Sequence, residues 1–298
     1  MATETAHLLN KWSSQKVSYN QRDLLTYALG IGCDSSDPQF VYELHDGFAA
    51  FPTYPIVLGC KGEDQDVVSF PSPAMAEAAE SPDLEGVRVG LDGERHIEQL
   101  APLPPEGGTL TMRSRLVGVH ARGSGASVES EAIISDEGGK DLYRITSGSF
   151  LVGAKNFKDS GTSHSAKVAV PKRAPDAVEE LPVLPQQALL YRLSGDYNPL
   201  HADPEFAQMA GFDKPILHGL CSLGFSTRAV LRRFAGGDAT RFRGVRLRFS
   251  SPVLPGQTLR VEMWDEGAGM IVFRSLVKET GKVCISNSYV QLAAGAKL

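Results

Sequence analysis

Asp196 and His201 share one short stretch, Tyr191-Arg192-Leu193-Ser194-Gly195-Asp196-Tyr197-Asn198-Pro199-Leu200-His201-Ala202-Asp203-Pro204. A carboxylate and an imidazole held close together can exchange protons near neutrality, which is the chemistry of a general acid–base pair. Gly195 and the Asn198-Pro199 pair force irregular backbone, so both groups fall on a single tight loop rather than on opposite faces of a strand. Asp203 is a helix N-cap and Pro204 suits the first helical position. Gly211 can end a short helix over Glu205 to Ala210, so the loop is braced on its C-terminal side. Downstream, Pro215-Ile216-Leu217-His218-Gly219-Leu220 opens an apolar helix predicted over Leu217 to Phe234. Backbone N–H groups at such a start lack partners and face the positive end of the dipole, which makes Gly219 a donor for developing negative charge.

The elements that position these groups occur twice. Tyr27-Ala28-Leu29-Gly30 with Asp37-Pro38 echoes Tyr191-Arg192-Leu193-Ser194 with Asp203-Pro204, and Pro55-Ile56-Val57-Leu58-Gly59 echoes Pro215-Ile216-Leu217-His218-Gly219. Further on, Gly107-Gly108-Thr109-Leu110 echoes Pro255-Gly256-Gln257-Thr258-Leu259, and Glu137-Gly138-Gly139-Lys140 echoes Glu279-Thr280-Gly281-Lys282. The echoes keep their order, as a duplication with longer loops in the first copy would. Each copy reads as a short helix and loop, a longer apolar helix, and then alternating strands between Pro/Gly turns. This is an α+β unit with a sheet buried against one helix. In the second copy the strands are predicted over Arg243 to Phe249, Thr258 to Trp264, Met270 to Glu279 and Lys282 to Leu292. The expected organisation is a first repeat over residues 1–153, a surface linker over 154–187 rich in Ser, Lys, Pro and Ala, and a second repeat over 188–298. The first copy has Gly32-Cys33-Asp34-Ser35-Ser36 in place of the Asp/His loop, so one active site per chain is expected. Its Phe51-Pro52-Thr53-Tyr54 run beside Ile56 to Leu58 suits an acyl-chain tunnel.

The chain has 298 residues, 42% hydrophobic and 22% charged, an ordinary globular composition, and its net charge of −5 argues against a general nucleic-acid binder. Arg228, Arg232, Arg233, Arg241, Arg243, Arg246 and Arg248 form a local exception that could meet an anion. Cys33, Cys60, Cys221 and Cys284 have no paired spacing and read as reduced thiols, and no His/Cys cluster has the spacing of a zinc site. Met1 to Lys16 lacks the apolar core of a signal peptide, and no segment approaches a membrane span. The terminal Ala296-Lys297-Leu298 is a variant of the Ser-Lys-Leu tripeptide read by the peroxisomal import receptor, which points to the peroxisome.

Tyr-x-Leu-Ser-Gly-Asp-x-Asn-Pro-Leu-His followed by Pro-Ile-Leu-His-Gly-Leu resembles the MaoC-like, hydratase 2 family, and the likeness extends to Pro52-Thr53, Asp92-Gly93-Glu94 and Pro175-Asp176-Ala177. The resemblance implies a double hot-dog fold, two repeats each with a long helix wrapped by a curved antiparallel sheet. It also implies a (3R)-specific trans-2-enoyl-CoA hydratase of peroxisomal β-oxidation, with coenzyme A as part of the substrate and no further cofactor. Hydration needs a base for water, an acid for C2 and a donor for the enolate oxygen. Asp196 and His201 would supply the first two, Gly219 with Leu220 the third, and Asn198 would orient the loop or bond the thioester. Family likeness gives Arg192 and Glu43 supporting roles, and as residues they read equally as ion-pair partners across the repeats. His218 reads first as a core histidine bonded to backbone. Lys214, Arg243 and Arg246 are candidate cations for the CoA phosphates. Hot-dog folds also host thioesterases and binding subunits. The first reading is disfavoured because the Leu217 to Phe234 helix carries no Asp or Glu, the second because Asp196 and His201 are both present. The chain holds its own pair of repeats, which leaves a further homodimer open.

Overall fold

The computed structural model describes residues 2–78 and 81–293. The strands are β1 (Ser13–Asn20), β2 (Val89–Gln99), β3 (Gly107–Arg122), β4 (Gly125–Ser135), β5 (Asp141–Val152), β6 (Ser160–Gly161), β7 (Ala177–Pro182), β8 (Phe242–Phe249), β9 (Thr258–Asp265), β10 (Met270–Val277) and β11 (Val283–Leu292). The α-helices are α1 (Gln21–Gly30), α2 (Pro38–Val41), α3 (Leu58–Lys61), α4 (Pro73–Ala76), α5 (Gln187–Tyr191), α6 (Pro204–Met209) and α7 (Gly219–Ala235).

All strands belong to one sheet in the order β1-β3-β4-β5-β2-β8-β11-β10-β9-β7, with β6 paired to β3 at the side. From the two ends the order is the same: β1-β3-β4-β5-β2 in one half, β7-β9-β10-β11-β8 in the other. The halves join where β2 runs antiparallel to β8, with Ile97 opposite Val245. This is the double hot-dog arrangement, and it turns the sequence echoes into a structural repeat.

The second repeat is built around α7. Every residue from Leu220 to Leu231 is buried, so this is a helix enclosed on all sides rather than one with a single apolar stripe. Two of its hydroxyls are satisfied in place: Ser226 donates to the Ser222 carbonyl and pairs with Ser275 of β10 at 2.7 Å, and Thr227 donates to the Leu223 carbonyl. The helix starts two residues later than predicted because the Leu217 N–H is committed to the Val253 carbonyl at 2.8 Å and His218 keeps extended backbone. Gly236, at φ 63, ends it.

In the first repeat the equivalent helix, α3, stops at Lys61. Gly62 turns at φ 66, and the following Glu63, Asp64 and Asp66 give no apolar stripe to bury. Phe51, Tyr54, Val57 and Leu58 are closed into the core rather than lining an open tunnel. Aromatic packing is the reason: Tyr54 lies 5.6 Å from Tyr19 and 5.5 Å from Tyr27, and Phe51 lies 5.0 Å from Phe40 between ring centroids.

The linker is shorter than expected, because Ala177–Pro182 is the edge strand β7, antiparallel to β9. Ala177 and Leu181 face inward and Val178 and Glu180 outward, a six-residue alternation flanked by prolines. The preceding segment crosses the outer side of the β2/β8 seam, where Ser165 donates to Glu94 at 2.8 Å and Arg246 donates to the His164 carbonyl at 2.7 Å. The four cysteines are free. Among the described residues no helix is long and apolar enough to cross a membrane.

Candidate active site

Gly195 makes the site loop's first turn at φ 125, a conformation that favours glycine. A Cβ at this position would lie 3.2 Å from the Cβ of Lys61, so the loop rests directly on α3 of the other repeat. The Oδ1 of Asp196 accepts from the Asn198 N–H at 3.3 Å, and the Oδ1 of Asn198 accepts from the Leu200 N–H at 3.1 Å. These successive side-chain-to-backbone bonds, with a 3-10 turn over Pro199–His201, swing His201 back toward Asp196. Asp203 caps α6 by accepting from the N–H groups of Glu205 and Phe206.

His201 is 8% exposed, and its Nδ1 lies 2.9 Å from the Ile216 carbonyl. A carbonyl only accepts, so the proton sits on Nδ1 and Nε2 is left as an acceptor. His218 is 1% exposed, and its Nε2 donates to the backbone carbonyl of Asp196 at 3.1 Å. The two imidazole rings stack with centroids 3.7 Å apart and planes inclined by 27°. Burial pushes His201 below the ordinary imidazole value, while the Ile216 bond and the Asp196 charge pull it back up. Burial, reinforced by the charge of His201, pushes His218 well below that value.

Ligand atoms of Asp196, His201 and His218 all lie within 4.8 Å of one another. The ring stacking opposes a shared metal ion. In-plane lone pairs of two nearly parallel rings cannot both aim at one point at about 2 Å, the metal–nitrogen distance. A water suits the place better, since the Asp196 carboxylate and the Nε2 of His201 are both acceptors and water has two protons to give.

Gly219 and Leu220 open α7, and their N–H groups make no hydrogen bond among the described residues. A Cβ on Gly219 would sit 3.2 Å from the Phe249 ring, so the donor end of the helix is closely backed by β8. The side-chain amide of Asn198 also makes no donor bond among the described residues.

The supporting residues fall out differently from expectation. Arg192 holds its guanidinium 4.7 Å over the Tyr197 ring, while Glu43 lies exposed after α2. Among the described residues no ion pair joins the two, because Arg192 turns toward its own loop. Lys214 lines a cavity of about 350 Å³ with Ile216, Leu254, Gln257 and Lys282. Arg243 instead donates to the Thr240 and Phe242 carbonyls, and Arg246 to the His164 carbonyl on the outer face of the sheet. Neither stands beside that cavity, because β8 carries both arginines away from the helix start. The arginine run is likewise not one surface: Arg228 is buried against Asp37 at 3.0 Å, Arg232 lies 3.8 Å from Asp37, and Arg248 pairs with Glu94.

Sequence reasoning gave no catalytic role to Cys60, Asp92 and Arg95 of the first repeat, of which Cys60 and Asp92 feel the charge of Asp196. Asp92 and Arg95 pair at 2.6 Å. A bulge at Gly93 re-aims them, marked in the sequence only by a glycine inside a strand pattern. Partial burial, with 31% of the side chain still exposed, pushes the Asp92 carboxyl up; Arg95 opposes that and the Asp196 charge adds to it. Burial and the Asp196 charge likewise raise the Cys60 thiol.

Residues 17–153 match the MFE-2 hydratase 2 N-terminal domain and residues 166–288 match the MaoC like domain. A peroxisomal enoyl-CoA hydratase 2 of Arabidopsis thaliana is 37% identical over 96% of this chain and 94% of its own length. The peroxisomal multifunctional enzyme type 2 of Drosophila melanogaster is 42% identical over 94% of this chain, which spans 47% of that larger protein. The crystal structure of a MaoC-like dehydratase from Phytophthora capsici superposes with a TM-score of 0.92 at 42% identity, covering 97% of this chain and 98% of the other. With both domain models matched and a hydratase 2 relative matched nearly end to end, this chain belongs to the MaoC-like enoyl-CoA hydratase 2 family of hydro-lyases.

Proposed function

We propose that the chain adds water to trans-2-enoyl-CoA to give (3R)-3-hydroxyacyl-CoA in peroxisomal fatty-acid β-oxidation. The observation that carries this reading is the meeting of Asp196, His201 and His218 within 4.8 Å, with His218 directly preceding the free N–H groups that open α7. A water donating to the Asp196 carboxylate and the Nε2 of His201 loses a proton to the pair as its oxygen bonds to C3, and the pair returns a proton to C2 on the same face. Negative charge gathers on the thioester oxygen between these steps, where Gly219 N–H and the Asn198 amide donate to it. The proton is assigned to the pair rather than to one member. The reaction is redox-neutral, and coenzyme A enters only as part of the substrate.

Lys214 and Lys282 flank the cavity that Ile216 shares with the His201 tether, which suits the anionic end of the thioester. Peroxisomal placement is supported by the names of the Arabidopsis and Drosophila relatives, and the Ala296-Lys297-Leu298 expectation lies outside the described residues.

The test mixes purified protein with medium- and long-chain trans-2-enoyl-CoA and follows the conjugated-thioester absorbance beside a free-thiol assay. Products are then offered to R- and S-specific 3-hydroxyacyl-CoA dehydrogenases. Absorbance loss without thiol release, with oxidation by the R-specific enzyme alone, is the expected result. Thiol release would move the chemistry to the carbonyl, and product oxidised by the S-specific enzyme would overturn the stereochemistry.

A further inference from the structure

We propose that His218 is a positioning residue for the Asp196/His201 pair, holding the backbone of the carboxylate with its edge and the ring of the base with its face. This rests on the hydratase reading of that pair. Three observations meet in one side chain: the 3.1 Å bond from Nε2 to the Asp196 carbonyl, the 3.7 Å stack on His201, and 1% exposure. A fourth fixes its protonation state. Nδ1 is buried with no partner among the described residues, and the neighbouring Tyr191 ring, 4.9 Å away between centroids, has a hydroxyl that makes no hydrogen bond to it.

The chemistry follows from the tautomer. Nε2 must carry the hydrogen, because its partner is a carbonyl, so a second proton could go only to Nδ1. That would bury an N–H without an acceptor and place a cation under the face of His201. His218 therefore stays neutral while His201 works, and one rigid ring sets the spacing between carboxylate and imidazole. The charged and titratable groups around His201 are Asp196 on its own loop, Arg192 and Tyr191 ahead of that loop, and His218 at the start of α7. Cys60 and Asp92 feel the charge of Asp196, and Arg95 pairs with Asp92. None of the others combines a bond to Asp196 with a contact to the His201 ring.

The unmodified protein provides the first test, by nitrogen-15 NMR of its histidine rings. His218 is expected to remain neutral with hydrogen on Nε2 from roughly pH 5 to 8, the range in which an unperturbed histidine titrates. Titration of His218 within that range, or hydrogen on Nδ1, overturns the proposal. Two variants then separate edge from face: His218→Gln keeps a donor for Asp196, and His218→Phe keeps a ring for His201. Each is expected to lower kcat at least about tenfold with KM within about twofold, since small misplacements of catalytic groups cost on the order of a hundredfold. In His218→Gln the His201 midpoint rises toward the ordinary value, because water reaches the uncovered ring face. A folded His218→Gln protein with wild-type kcat or an unmoved His201 midpoint sinks the idea. If the parent protein hydrates no enoyl-CoA, the functional reading fails, and the NMR measurements still decide whether His218 governs His201.

Discussion

His201 and His218 come from different elements, a 3-10 turn and the start of α7, and lie face to face with ring centroids 3.7 Å apart. One face of the His201 ring is thereby closed to solvent. Its Nδ1 edge is tied to Ile216, so Nε2 is the edge left to meet a water. The arrangement leads to predictions that can be checked separately.

Asp196→Asn and His201→Ala should each lower kcat by about 10²- to 10⁴-fold, the range for removal of a positioned acid or base. KM should change little, because neither group is needed to hold the CoA portion. Steady-state kinetics alongside far-ultraviolet circular dichroism would check this, and retention of more than a tenth of the parent kcat in a folded variant would count against the assignment.

Gly219→Ala should cost on the order of ten- to a hundredfold in kcat, since its methyl group would meet the Phe249 ring at 3.2 Å and push the donor end of α7 out of line. Combining it with Phe249→Ala gives the methyl room. Recovery of kcat in the double variant, measured against Phe249→Ala alone, would assign the loss to displacement rather than to a general loss of folding.

Acid should weaken the fold. Burial holds His96 at about 4, with Arg246 adding to the effect, and it holds His201 and His218 below the ordinary imidazole value. The unfolded chain, with histidines near 6.5, then binds more protons than the native one, so stability is complete above about pH 6.5 and falls as pH drops below it. For His96 the loss continues to about pH 4. Each group contributes about 1.4 kcal/mol per pH unit across its window. Urea unfolding between pH 7 and 5 should show a falling midpoint, and a flat profile would contradict the burial of these rings.

Asp37→Ala should destabilise the protein by about 3–5 kcal/mol, because it leaves Arg228, buried in α7, without the carboxylate 3.0 Å away. Asp37 belongs to the first repeat's counterpart of the Asp196–His201 loop. Arg228 also donates to the Gly32 carbonyl; chemical denaturation would report the loss, and a shift under about 1 kcal/mol would show that this carbonyl suffices for Arg228.

Lys214→Glu and Lys282→Glu should raise KM for CoA thioesters about tenfold and leave kcat unchanged, in keeping with the strength of one charge-assisted hydrogen bond. Arg243→Glu should leave KM near the parent value, since that guanidinium is occupied by the Thr240 and Phe242 carbonyls. The reverse pattern would relocate the anionic end of the substrate to β8.

The sequence alone determined what lies within a few residues of itself. Gly195, Asp196, Asn198-Pro199 and Asp203-Pro204 specify turns and caps by local sterics and short side-chain bonds, so the shape of the Asp196–His201 loop and α6 were legible. The duplication was legible because both copies carry the same punctuation, and the matching strand order of the two half-sheets followed from it. The early stop of α3 was written in Gly62 and the acidic residues after it, but the analogy with α7 concealed it.

Tertiary structure decided everything that depends on which distant faces meet. The stack of His218 on His201, the rest of Gly195 against Lys61 and the approach of Cys60 and Asp92 to Asp196 join segments that only long-range pairing brings together. The same packing turned Arg192 toward Tyr197 and left Glu43 in solvent, and it closed Phe51 and Tyr54 into an aromatic core. Local propensity is blind to such outcomes, because a side chain's partner is set by the burial of the whole sheet against α7 rather than by its neighbours in sequence.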